Sequence, residues 1–224
     1  MAISYSSSLV RQGLVLLLDA DNVKSYPGSG STWFDISGNN NHCTLNNLPT
    51  WNSAGYFSFN GSSNYGTITY SSTLNFSGGQ TVLILMNHSN TSGRPNPWNQ
   101  AYGGSGTWTH EAGVNFNYYY GNAGSNNNPY TSLGSGSTPT GTWYGMCTTR
   151  DISNVYWYQN ATLQNSMSNP YGNLASDTNN ITIAIGYTGN YWAGNIALIM
   201  AYDRALNATE ILTNYIGYRG RFNI

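Results

Sequence analysis

Short strand-like segments follow one another along the whole chain, each closed by Gly, Asn, Ser or Pro, and only one stretch carries a helix-start signal. That punctuation limits the fold, because alternating apolar residues mark half-buried strands and frequent turn residues leave no room for long helices. GLVLLLDA (13–20) is a continuous apolar run, as in a strand buried on both faces, and SYPGSGSTW after it is a loop by composition. YFSFNG (56–61) puts Phe57 and Phe59 on one face. YGTITY (65–70) sets Ile68 and Tyr70 against Thr67 and Thr69. TVLILM (81–86) is a further apolar strand. VNFNYYY (114–120) places Val114, Phe116, Tyr118 and Tyr120 opposite Asn115, Asn117 and Tyr119. WYGMCTTR (143–150) and VYWYQ (155–159) flank the polar RDISN and read as a hairpin. NITIAIGY (180–187) and GNIALIMAY (194–202) alternate again.

The exception is ALNATEILTNY. Asn207 is placed to cap a first turn, Glu210 stands three residues on as in a capping box, and Leu206 with Ile211 forms a hydrophobic staple. A short helix is expected over 206–216, after a sandwich that occupies the rest of residues 1–224 as one domain. An N-terminal arm (1–12) and a C-terminal tail (217–224) flank it. The expected class is all-β, a two-sheet antiparallel β-sandwich of the concanavalin A-like jelly-roll kind with one short C-terminal helix.

Charge narrows the function. Charged residues make up 7% of the chain, the net charge is −1, and Lys24 is the one lysine. Nucleic acid is not an expected partner, because phosphate binding needs clustered Lys and Arg, and here only Arg219 and Arg221 are close together. Weak self-repulsion suits a protein packed against copies of itself. The longest apolar run, LVLLL at 14–18, falls well short of the roughly 20 residues of a membrane span, so no membrane is expected as a partner. MAISYSSSLVRQG has no basic region before an apolar stretch, so no signal peptide is expected. Cys43 and Cys147 could form one bridge but are too few for a disulfide framework, and Cys147, in a strand-like stretch, reads rather as a buried free thiol.

TWFDISGNNNHCTL (32–45), FSFNGSSNYGTI (57–68), the hairpin YWYQNATL (156–163) and the closing WAGNIALIMAYDRALNATEI (192–211) together resemble laminin-G-like, concanavalin A-like jelly-roll domains. Arg204 belongs to the closing Y-x-R-A-L pattern and has a structural role by that resemblance. PWNQAYGGSGTWTHE with YYYGNAG, and the ending YRGRF, resemble the subset found in virion proteins of tailed phages, marine ones especially. Domains of this family mostly bind rather than catalyse, and some members bind glycans or proteins with calcium. In this chain Asn60 and Asn64 stand where the family often has Asp. Asp35, with carbonyls of the 38–41 turn, is the remaining candidate calcium ligand, and the alternative is that it braces that turn.

Catalytic constellations are thin. Glycoside hydrolysis needs two carboxyl groups across one bond, and Glu111 has no acidic neighbour in a chain with 8 acidic residues. No G-x-S-x-G elbow, E-x-D-x-E glucanase pattern or zinc spacing appears. His42, His88 and His110 lack catalytic context and read as structural. Binding remains, with 19 Tyr and 7 Trp in the chain. Trp98, Tyr102 and Tyr119, from a loop or a polar face, are the candidate contacts with a ligand or partner. The first expectation is a non-enzymatic virion structural protein, a capsid decoration protein or a tail-appendage component. Its partners would be other virion proteins and further copies of itself, a trimer by analogy with shell symmetry. A host-surface glycan adhesin is the alternative, and a polysaccharide-degrading enzyme the remote one.

Overall fold

The computed structural model describes residues 9–89, 95–100, 107–111, 115–121, 130–132, 138, 140–174, 176, 178–186 and 189–224; for 107–111, 115 and 130–132 it describes the backbone. The first strands are β1 (Leu14–Asp19), β2 (Thr32–Trp33), β3 (Cys43–Asn46), β4 (Thr50–Asn52), β5 (Tyr56–Asn60) and β6 (Tyr65–Ile68). The middle of the chain forms β7 (Gln80–His88), β8 (Trp98–Asn99), β9 (Thr107–Glu111), β10 (Asn115–Tyr119) and β11 (Tyr130–Ser132). Then come β12 (Tyr144–Arg150), β13 (Asn154–Gln159), β14 (Thr162–Ser168), β15 (Ile181–Ile183), β16 (Ala193–Tyr202) and the helix α1 (Ala208–Tyr218).

These strands build two antiparallel sheets. Sheet A runs β14-β13-β12-β7-β16-β5-β4, with β1 also paired to β16, and sheet B runs β11-β10-β9-β8-β15-β6-β3-β2. β16 is long enough to serve two partners along one side, pairing β5 through Ala193–Ile196 and β1 through Leu198–Tyr202. All six residues of β1 are buried, as a run of apolar residues without alternation requires. Phe57, Phe59, Ile84, Met86, Phe116, Tyr118, Ile181, Ile183, Ile196 and Trp157 point between the sheets and form the main core. Cys43 lies in that core and Cys147 in a second cluster; both thiols are free, and burial pushes the Cys43 thiol up to about 12.

The second cluster lies on the far side of sheet A. Leu83, Leu85, Cys147, Met200 and Tyr202 turn outward there and are covered by Leu206, Ile211 and Tyr218. The Tyr218 hydroxyl occupies the space a Cβ at Gly145 would need, so glycine on β12 lets α1 approach the sheet. Asn207 Oδ1 accepts from the Glu210 N–H at 3.0 Å and the Glu210 carboxylate accepts from the Asn207 N–H at 3.0 Å, so two orphan donors of the first turn are satisfied. Arg204 grips the same carboxylate through both terminal nitrogens, at 2.9 and 2.6 Å. That pair holds the Glu210 carboxyl below its ordinary value.

The helix boundaries differ from expectation. Leu206 and Asn207 are staple and cap, so the helix begins at Ala208 and runs two residues further, to Tyr218, whose buried ring anchors its end. Residues 219–224, within the expected C-terminal tail, dock on the body. They turn once in 3-10 geometry, and Phe222 stacks on Trp143 with ring centroids 3.8 Å apart. Residues 9–12 also dock: the Val10 N–H donates to Asn214 Oδ1 at 2.9 Å, and the Val10 carbonyl accepts from the Tyr202 hydroxyl at 3.0 Å.

Candidate sugar-binding face

With α1, residues 9–12 and residues 219–224 packed on sheet A, the outer face of sheet B is the broad sheet surface that the described elements leave open. One row of residues crosses it. Thr32 pairs with Thr44, Thr44 with Thr67, Thr67 with Thr182, Thr182 with Asn99, Asn99 with Thr107, Thr107 with Tyr119, and Tyr119 with Tyr130. Every strand of the sheet contributes one residue, so at the usual interstrand spacing the row is about 34 Å long. Thr44, Thr67, Thr182 and Asn99 alternate with the core residues Cys43, Ile68, Ile183 and Trp98, which fixes their outward direction.

The row is uncharged and partly self-bonded. Asn99 Nδ2 donates to Thr182 Oγ1 at 3.1 Å, and Asn46 Nδ2 donates to Thr67 Oγ1 at 3.0 Å. Thr182 Oγ1 in turn donates to the Ile185 carbonyl at 2.9 Å. Thr44 is exposed. One row away Tyr65 and Tyr191 meet edge to face, ring centroids 6.2 Å apart, both half-buried. Hydroxyl and amide groups that both donate and accept, beside aromatic edges, match the hydroxyls and apolar ring faces of a sugar. Hydrolysis of one asks for more. Among the described residues no carboxylate side chain lies on this face. Glu111 pairs in register with Asn115 and His110 with Phe116, their side chains lying outside the described residues.

A second concavity, of about 410 Å³, lies where α1 begins, lined by Thr149, Asp151, Tyr156, Tyr158 and the 205–208 segment. Asp151 Oδ1 is already engaged there, accepting from the Ser153 and Asn154 N–H groups at 2.6 and 2.7 Å.

The family pattern described as the concanavalin A-like lectin/glucanases superfamily matches residues 61–212. The chain belongs to this superfamily. No curated protein sequence matches it. Among solved structures, it resembles the receptor-binding domain of botulinum neurotoxin C/D mosaic serotype at 16% identity and TM-score 0.70, over 93% of this chain and 52% of that one. It resembles the binding domain of Paraclostridial Mosquitocidal Protein 1 at 15% identity and TM-score 0.68, over 93% and 53%. It also resembles the botulinum neurotoxin serotype D ligand-binding domain, solved in complex with N-acetylneuraminic acid, at 15% identity and TM-score 0.72, over 93% and 52%. The chain therefore spans about half the length of these binding domains, and at such identities the likeness is one of fold.

Within the superfamily fold the sequence candidates take particular places. Trp98 is not exposed: its ring is fully buried, because β8 pairs with Ile183 and Trp108 and turns it into the core. Tyr119 does stand on the outer face of sheet B but is 8% exposed. Tyr102 lies outside the described residues. Asp35 is a brace. Its Oδ1 accepts from the Leu17 and Ser37 N–H groups at 2.8 and 2.9 Å. Its Oδ2 accepts from the Ser37 hydroxyl and the Asn41 N–H at 2.8 and 3.0 Å. All four lone-pair directions are taken, which leaves none for calcium. Among the described residues no three His, Cys, Asp or Glu side chains gather as a metal site, and no helix is long and apolar enough to cross a membrane.

His88 is fully buried beside the Tyr144 hydroxyl, and burial lowers its pKa to about 4. The threonine row went unread in the sequence. Its only local trace is the alternation of Thr with Ile in YGTITY and NITIAI; the row itself exists through pairing between distant segments.

Proposed function

We propose that this chain is a non-catalytic, lectin-like module that binds a glycan across the outer face of sheet B. The observation that carries the reading is the uncharged Thr–Thr–Thr–Asn row, open on one sheet while the other is covered by α1, Leu9, Val10, Phe222 and Ile224. Superfamily membership and the N-acetylneuraminic acid complex of the serotype D neighbour support a sugar as the ligand class. The lack of a carboxylate pair on the face, among the described residues, supports binding over hydrolysis. A glycan array probed with the purified chain tests it. Binding to a defined set of surface glycans is expected, unchanged by chelator, and an array without a hit above a bovine serum albumin control rejects the reading.

We further propose that the module is displayed on a virion, as a capsid decoration protein or within a tail appendage. The support is the sequence resemblance of PWNQAYGGSGTWTHE and YRGRF to phage virion domains, together with the weak charge. Mass spectrometry of purified particles decides the matter, since absence of the chain from virions removes the proposal.

A further inference from the structure

At the end of the core where β7 begins and β12 ends, the packing between the sheets turns polar. Gln80 and Arg150 stand opposite each other in register, and Tyr118 and Tyr120 face them from sheet B. Their exposures are 2%, 0%, 1% and 1%, so none reaches solvent. Arg150 Nη2 donates to the Phe76 carbonyl at 2.6 Å and Nε donates to Tyr118 Oη at 3.3 Å. The Tyr118 hydroxyl donates onward to Gln80 Oε1 at 2.8 Å.

This relay has a direction, from guanidinium to phenol to amide carbonyl, and it fixes which way the Gln80 amide is turned. It leaves Arg150 Nη1, Gln80 Nε2 and the Tyr120 hydroxyl buried without a partner. All three belong to side chains that meet around Tyr118. Nη1 and Nε2 are each two bonds from an atom that contacts Tyr118 Oη, and the Tyr120 ring stacks on Tyr118 at 5.1 Å and 17°.

Charge makes the same point independently. The guanidinium is always protonated, yet no carboxylate among the described residues pairs with it. What meets the charge is one carbonyl, the Tyr118 hydroxyl oxygen and the Tyr120 ring, 5.7 Å from Cζ. Burial pushes the Tyr118 and Tyr120 phenols above their ordinary value, so neither supplies a negative charge. A buried charge without a counter-ion, ringed by unused donors, is a costly arrangement unless an anion completes it.

We propose that this cluster is a binding site for a small monovalent anion of the halide class, held between the sheets by Arg150 Nη1, Gln80 Nε2 and the Tyr120 hydroxyl. Burial of all four side chains favours a small ion over a bulky one. The anion neutralises Arg150 and ties β7 and β12 to β10. Its presence does not depend on glycan binding at the outer face of sheet B.

Crystals soaked in bromide test the site directly. An anomalous peak within hydrogen-bonding reach of Arg150 Nη1 and the Tyr120 hydroxyl is expected. In solution, Tm measured at constant ionic strength, with chloride exchanged for bulky gluconate, should rise by roughly 5 °C once chloride exceeds its dissociation constant a hundredfold. Arg150→Met should abolish that rise. Should Arg150→Met fail to fold, Tyr120→Phe keeps the charge and should weaken the chloride dependence. A featureless anomalous map, or a Tm indifferent to chloride in the unaltered chain, overturns the proposal.

Discussion

The Arg221 guanidinium donates to the Asp19 carboxylate at 2.8 Å, joining the last turn of the chain to the end of β1. The contact is buried, with side-chain exposures of 4% and 10%. Arg221 also donates to the Gly55 carbonyl at 2.7 Å, so it clasps the turn between β4 and β5 as well.

Arg221→Met should therefore cost about 3–5 kcal/mol, the usual size for removing one partner of a buried pair. The loss should depend on pH in a particular sense. Burial, opposed by Arg221, holds the Asp19 carboxyl above its ordinary value, so the folded chain takes up that proton before the unfolded chain does. Without Arg221 the value rises further. Acidification should then restore part of the variant's lost stability, and urea titrations at pH 7 and pH 4.5 measure the difference.

Asp35 carries the metal question. With four N–H or O–H donors on its carboxylate, its ordering effect comes from the chain itself. Thermal unfolding with and without chelator should give the same Tm, whereas Asp35→Ala should lower stability by about 2–4 kcal/mol, because three backbone N–H groups, two of them in buried hydrogen bonds, lose a charged acceptor. A chelator-sensitive Tm would return calcium to the site.

His88 should make the fold acid-sensitive. Its pKa is lowered from 6.5 to about 4 by burial, so the folded chain keeps it neutral while the unfolded chain binds a proton below about pH 6.5. Stability should fall as pH drops from about 6.5 to 4, by up to about 3 kcal/mol from this residue. His88→Gln should flatten that part of the pH profile, read by chemical denaturation.

Much of this architecture was legible because local rules and packing agree. Phe57 and Phe59, Ile181 and Ile183, and the Asn207–Glu210 cap each state their role within a few residues. β2, β4 and β8 were not legible, since TW, TWN and WN are strands only because β3, β5 and β15 supply partners. Trp98 shows the cost of reading exposure from loop-like composition: pairing with Ile183 turns the ring inward. The candidate site was hidden for the same reason. A row across a sheet is a property of register, and register is set by contacts far apart in sequence.

The turn between β13 and β14 offers a stabilising change. Gln159 and Thr162 are paired, so Asn160 and Ala161 form a two-residue loop with φ of 49° and 59°. Such primed turns favour glycine at the second position, since a Cβ is strained in left-handed geometry. Ala161→Gly should raise stability by about 0.5–1 kcal/mol, offset in part by the apolar contact Ala161 makes with the helix-side cluster. A higher urea midpoint with an unchanged slope is the expected reading.

The sheet B row separates binding from folding. Thr44 is exposed and Tyr65 half-buried, and neither supports the core. Thr44→Val removes one hydroxyl while keeping the shape and β-propensity of the strand, and Tyr65→Ala removes an aromatic edge. On a glycan the array has identified, each should weaken binding about tenfold, with Tm changed by no more than a few degrees. Leu212→Ser, on the exposed side of α1 across the molecule, should leave affinity unchanged. Titration calorimetry on the three variants places the ligand. Equal affinity in all of them would move it off this face, and the cleft where α1 begins would be next, with Tyr156→Ala as its probe.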